Sequence, residues 1–523
     1  MSDPHQPLWA QGYHARNLAA LVGECMINPA APFIVGDDGR RFTYARFWTL
    51  AAKLAHALQA GGAKPGARVA AQVEKGVEAL AVFWAWAGAG LIFVPLNTAY
   101  TTAEVEYFLR DAQPLITVCV PERLPDMYRI SEAAGVRATF TLDDRGHGTL
   151  ADEAMYQDAM LRDELLHWDD PAAILYTSGP TGKAKGAVLT HGNLASNALT
   201  LAGQWEFSPA DRLIHALPTY HTHGLFTAVA TILLTGGCLL FRRKFDADDV
   251  VKLLPEATSL MGVPTFYTRL LAHAGLTREA AAHMRLFISG SAPLLAETHR
   301  QFRMKTGQAI LERYGMTETG MNSSNPVAGM RRAGTVGLPL MDVEVRITDR
   351  ETGELLPKGQ DGLIEVRGPN VFAGYWRNDQ KTQEAFRDDG FFITGDIGRI
   401  EADNYLVISG RANDLIISGG FNVYPREVEL VLDTLPGVLE SAVIGVPHAD
   451  LGEGVVAVVV MKEGAAFSPE ALSAHLGERL ARFKQPRAWV QAGELPRNAM
   501  GKVQKAVLRA AHRDILTGVK VGA

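Results

Sequence analysis

The chain has 523 residues, beyond the roughly 250–300 at which a single core stops growing, so at least two domains are expected. Its 47% hydrophobic and 21% charged residues exclude a disordered or fibrous protein, and a net charge of -6 offers no basic field for nucleic acid, leaving small molecules as the expected partners. Cys25, Cys119 and Cys238 are too scattered for a disulfide framework or a metal-ligand spacing.

In chain order, the opening MSDPHQPLW has neither the basic start and apolar run of a signal peptide nor the arginine-rich character of a transit peptide, so a cytoplasmic location is expected. Residues 79–96 form 18 positions without a charge, near the length of a membrane span. Gly88 and Gly90 interrupt that run and Pro95 closes its apolar end at 91–94, which predicts a helix and a buried strand, with no membrane span. Helical patterns then alternate with short apolar runs at 68–73, 115–120, 172–176, 213–216 and 286–289, an α/β layering with largely buried sheets. After about Asp403 the texture becomes a compact α+β unit: YPREVELVLDTL starts a helix, SAVIGV and VVAVVV are strands, 468–480 is a helix, and a lysine-bearing tail follows. The expected boundary lies near Gly410–Asp414, where a short polar segment suits a hinge. It divides a large N-terminal domain, 1–412, from a small mobile one, 413–523.

The chemistry starts at YTSGPTGKAKG (176–186), which follows the apolar strand AAILY and so leaves a strand's carboxyl end, where α/β proteins bind ligands. Gly179, Gly182 and Gly186 permit close backbone approach to an anion; Thr177, Ser178 and Thr181 add hydroxyls, and Lys183 and Lys185 add charge. A polyphosphate fits. A Walker A loop does not, because Ala184 follows Lys183 and the glycine spacing is too short.

This run, followed in order by ISGSAPL (288–294), ERYGMTET (312–319), ITGDIG (393–398), ISGRANDLIISGGFNVYP (408–425) and PRNAMGKVQK (496–505), resembles the adenylate-forming superfamily of acyl-CoA synthetases, peptide-synthetase adenylation domains and luciferases. The resemblance covers almost the whole chain. It implies ATP, Mg²⁺ and coenzyme A as cofactor and co-substrates, with the nucleotide held by Thr177, Ser178, Gly179, Thr181, Gly182, Lys183, Ser289, Gly290, Ser291, Ala292, Glu312, Tyr314, Gly315, Met316, Thr317, Asp396 and Arg411. In that reading Tyr314 faces adenine, Thr317 meets the α-phosphate, Glu318 with Thr177 holds Mg²⁺, and Asp396 accepts from the ribose hydroxyls. Lys502 offsets the charge that builds when the carboxylate attacks the α-phosphorus. The small domain then swings about Asn413, withdrawing Lys502, and Gly419 and Gly420 line a tunnel for the coenzyme A thiol. Two positions depart from the family pattern. Asn413 stands where the hinge usually carries Lys or Asp, and Pro180, lacking a hydroxyl and an N–H, stands where Thr or Ser is usual.

Arg269 in VPTFYTRLL and Arg313 in ERYGMTE narrow the acid, since a buried arginine without an anion is costly and a fatty acyl site needs apolar walls. Together with HALPTYHTHGLF (215–226), this pattern resembles malonyl-CoA synthetases, in which the matching arginines and Ser291 hold a distal carboxylate while His221 and His223 lie at the gate. Malonate, with methylmalonate, is the expected acid. The open alternatives are a ligase for another short acid, a peptide-synthetase adenylation module, a luciferase-like oxygenase and a nucleotide-binding regulator with impaired turnover.

Overall fold

The computed structural model describes residues 7–160, 166–178, 184–418, 421–448, 451–498 and 501–517. Gly179, Pro180, Thr181, Gly182 and Lys183 of the glycine run, and Gly419 and Gly420, lie outside them.

Among the described residues, four sheets organise the chain. The nine-stranded sheet is parallel at its centre, in the order Ile310–Met316, Leu286–Ser289, Ser259–Gly262, Arg212–His215, Cys238–Phe241, Pro32–Gly36, with antiparallel strands at both edges. The seven-stranded sheet runs parallel through Pro171–Ser178, Ile92–Pro95, Arg68–Gln72, Ile116–Cys119 and Ala138–Thr141. Its three central parallel strands, Ile92–Pro95, Arg68–Gln72 and Ile116–Cys119, are short and buried on both faces, as crossover helices require. The uncharged 79–96 run lies mostly in the helix Val77–Ala89 and the strand Ile92–Pro95. Gly88 sits inside that helix, and Gly90 alone ends it, in the left-handed region at φ 68°. No helix among the described residues is long and apolar enough to cross a membrane.

A four-stranded antiparallel sheet, Glu344–Thr348, Gly362–Arg367, Phe392–Ile400 and Leu406–Arg411, completes the large domain. The strand Leu406–Arg411 therefore belongs with what precedes it, and the change of texture falls at the 3-10 turn Ala412–Asp414, later than Asp403. The small domain is a five-stranded sheet built on the long hairpin Val438–His448 and Gly452–Met461, with Ala488–Ala492 parallel to the second arm. The helix Pro425–Leu432 packs on it through Val428 and Leu432, and Ser468 caps the helix Pro469–Gly477 by accepting from the Ala471 amide.

Candidate active site

The carboxyl ends of the parallel strands meet at one mouth. Register pairs Ser289 with Gly262 on one side and Glu312 on the other, and Met261 with His215, so the segments after each strand start level with one another. From His215 the chain reaches His221 and His223, from Ser289 it turns through Gly290, Ser291 and Ala292, and from Glu312 it continues to Arg313 and Tyr314. A register shift between Tyr314 and Gly315 re-aims this last strand as it enters a hairpin with Gly320–Ser324. Gly315 is needed there, since a Cβ would stand 2.0 Å from the Gly320 carbonyl oxygen.

Arg313 is the most consequential of these residues. Its side chain is buried, and Nε and Nη2 have no hydrogen-bond partner. The guanidinium lies on Gly290, where a Cβ would come within 2.3 Å of Cζ, so only glycine leaves it room. Burial pushes its pKa down to about 9, which still leaves a cation at neutral pH. His221 and His223 share that environment: burial, then the Arg313 charge, lowers His221 to about 4 and His223 well below its usual value, so both rings are neutral. His223 Nδ1 lies 3.2 Å from Ser291 Oγ, while His223 Nε2 is buried without a partner. Ser291 holds φ 68°, a left-handed backbone that costs a non-glycine residue energy and is typical of functional sites.

A second cluster spans the two domains. Asp396 accepts from the Tyr314 hydroxyl at 2.6 Å and pairs with Arg411 Nε at 2.9 Å. Asp396 raises the pKa of Arg411, whereas burial and then Arg411 lower that of Lys502, on which Asp396 and Asp414 act in the opposite sense. The Lys502 turn also meets the large domain directly, since a Cβ on Gly501 would stand 3.2 Å from Thr265 Oγ1. Nearby, Glu318 accepts from Thr177 Oγ1 at 3.3 Å and from the Tyr375 hydroxyl at 3.2 Å, and burial raises its pKa.

Profiles of protein families agree with this geometry: that of the AMP-binding enzyme matches residues 24–376, and that of the AMP-binding enzyme C-terminal domain matches 427–502. The chain belongs to the AMP-binding enzyme family. MatB from Rhodopseudomonas palustris is 52% identical, covering 96% of this chain and 99% of its own, with a TM-score of 0.94 in its ATP-bound structure. Its apo structure gives 0.83, so this AMP-binding enzyme has the arrangement closer to the ATP-bound form. A malonate–CoA ligase of Arabidopsis thaliana is 34% identical over 86% of this chain and 78% of its own. A sulfoacetate–CoA ligase of Cupriavidus necator is 34% identical over 94% and 97%. This AMP-binding enzyme is an acid–CoA ligase.

Within it, two expected residues stand apart from these clusters. The Glu312 carboxylate meets His299 Nδ1 at 3.3 Å and the Gly334 amide at 3.2 Å, which engages it structurally. Arg269 is exposed, because the helix Pro264–Ala272 turns Phe266, Tyr267 and Leu270 inward. It lies one turn beyond Thr265 on the same face, and that face looks toward the Lys502 turn. Thr317 and Met316 are half-buried in the hairpin turn, and Asn413 is exposed with no left-handed φ. Sequence reasoning missed Tyr375, which carries Lys185 Nζ 4.9 Å over its ring as well as the bond to Glu318. It sits on a two-residue strand, too short for any periodic signal.

Proposed function

We propose that this ligase converts malonate, and also methylmalonate, with ATP and coenzyme A to the acyl-CoA, AMP and pyrophosphate through an acyl adenylate. The observation that carries the reading is Arg313, a buried cation with two free donor positions on a glycine floor. A buried charge of this kind is costly unless an anion completes it. The distal carboxylate of malonate supplies that anion, bidentate on Nε and Nη2, with His223 Nε2 as a further donor whose tautomer is set by the Ser291 hydroxyl donating to Nδ1. A neutral histidine donates there without adding a second cation. Arg269, on the face toward Lys502, completes the acid's approach.

The reacting carboxylate then faces the α-phosphate of ATP beneath the Lys502 turn. Tyr314 offers its ring to adenine, Asp396 turns from Arg411 and Tyr314 to the ribose hydroxyls, and Thr177, Ser178, Thr317 and the 179–183 run take the phosphates. Lys502 and Arg411 offset charge as the carboxylate oxygen attacks phosphorus and pyrophosphate leaves. Glu318 is a buried hard-oxygen ligand with no ion-pair partner among the described residues, and Thr177 lies beside it, so the two fit one Mg²⁺ shared with substrate phosphates. That ion would supply charge neutralisation on the phosphates. In the second half-reaction residues 413–523 swing about Asn413, Lys502 leaves, and the thiol enters past Gly419 and Gly420.

A different distal anion is the second reading, favoured by the sulfoacetate–CoA ligase among the relatives and by the donor His223 Nε2 in addition to the two on Arg313. Arg313→Ala tests both. Losing a buried partner costs about 3–5 kcal/mol, so kcat/KM for malonate should fall by roughly two to three orders of magnitude while propionate turnover stays level. Near-normal malonate kinetics would remove the assignment.

A further inference from the structure

Lys502 is tied back to the segment that precedes it. The Asn498 amide donates to the Lys502 carbonyl at 3.0 Å, Asn498 Oδ1 accepts from the Lys502 amide at 3.0 Å, and Gln504 N reaches the Pro496 carbonyl at 2.8 Å. Arg497 closes the base through the Gly501 carbonyl and a contact with Glu440. These bonds tie Lys502 back to residues 496–498, and its aim depends also on the helix that follows, Lys505–Ala511.

That helix is weakly seated by packing, since Leu508 is its only buried residue. Leu508 is the anchor within the helix, Val503 before it and Leu516 beyond it pack into the same cluster, and two ion pairs fix its charged face. Lys505 Nζ lies 2.6 Å from Glu429 Oε1 in the helix Pro425–Leu432, and Arg509 Nη1 lies 2.7 Å from Asp414 Oδ1 in the turn Ala412–Asp414. Glu429 is itself fixed, because its Oε1 accepts from the Val443 amide at 2.9 Å. Lys505 and Arg509 are four residues apart and share one helix face. A cation at the first helical position is opposed by the helix dipole, so Glu429 rather than helix preference keeps Lys505 there.

We propose that Lys505 and Arg509 are positioning residues for adenylation: their pairs with Glu429 and Asp414 brace the Lys502 turn against the small domain's first helix and against the turn where that domain begins. This rests on the assignment of Lys502 to the first half-reaction. All four partners lie in the small domain and travel with it, so the brace serves the step that uses Lys502 and is idle in thioester formation. Misplacement by about 1 Å costs on the order of 100-fold in a positioned reaction.

The test uses the full-length enzyme with Lys505→Gln, Arg509→Met, the double substitution, Lys505→Arg and Lys502→Ala. Pyrophosphate release from malonate and ATP in a single turnover reads the first half-reaction; thioester formation from preformed acyl adenylate and coenzyme A reads the second. The double variant should lose about 10- to 100-fold in the first and stay within about twofold of the parent in the second, with Lys505→Arg restoring most of the loss. Equal losses in both half-reactions, or an unchanged first one, would overturn the brace. Should the double variant fail to fold, Arg509→Met, at a partly exposed site, decides alone. If Lys502→Ala leaves the first half-reaction intact, the assignment of Lys502 fails; if Lys502→Ala is impaired and the brace variants are not, only the brace fails.

Discussion

The Arg313 pocket and the Asp396–Arg411–Lys502 cluster solve opposite problems with the same residue type. Arg313 is buried, lies within one domain, and has no carboxylate of its own among the described residues. Arg411 keeps its side chain 43% exposed and is already paired with Asp396 at the domain junction. The first arrangement stores an unmet demand for an anion, which makes it selective and costly to the free protein. The second is internally compensated and partly solvated, so breaking and remaking it is cheap, as the proposed domain swing requires. In the proposed function, specificity sits where charge is stranded, and motion sits where charge is shared.

The comparison breaks first at Arg313. Arg313→Met should raise the melting temperature of the ligand-free protein, because a stranded charge becomes an apolar group, while kcat/KM for malonate falls by roughly two to three orders of magnitude. A lower melting temperature would mean that the charge is not stranded. Gly290→Ala probes the same pocket from beneath. Its Cβ would stand 2.3 Å from Arg313 Cζ, so the guanidinium must move, and a loss of roughly 10- to 100-fold on malonate is expected in steady-state assays.

A smaller effect concerns pH. His221 is lowered to about 4 by burial and then by Arg313, so as pH falls below 6.5 the unfolded chain takes up a proton that the native chain refuses. Native stability from this group is therefore intact above pH 6.5 and declines toward pH 4. Denaturant melts of His221→Asn across that range should show a shallower decline than the parent, and parallel profiles would contradict it. The smallest effect is expected at Pro180→Thr, which returns one hydroxyl and one N–H to the phosphate run. At about 1 kcal/mol per hydrogen bond, the KM for ATP should improve about fivefold if one of the two donors reaches a phosphate, and an unchanged value would show that the proline is harmless.

Much of the fold was legible because its strands are short, apolar and spaced by helical patterns: the runs at 172–176 and 286–289 fall within or on observed strands. The ordered motifs led to the family because several of them, such as ISGSAPL and ERYGMTET, run out of a strand into the turn after it, where sequence and backbone are tightly linked. Two things resisted. Glu312 and Arg269 carry the expected residue types, yet distant partners and the buried face of a helix decide where they point, with Glu312 meeting His299 and Gly334 and Arg269 left exposed. Nor could spacing reveal that Gly290 exists to admit Arg313, a contact between residues 23 positions apart that register alone creates.

Pyrophosphate release with malonate, methylmalonate, acetate, succinate and a long-chain acid tests the central claim most directly. The two-ended recognition argued for Arg313 and Lys502 predicts the fastest release with malonate or methylmalonate, weaker release with succinate, and little with acetate or the long-chain acid. A preference for acetate or for the long-chain acid would contradict it.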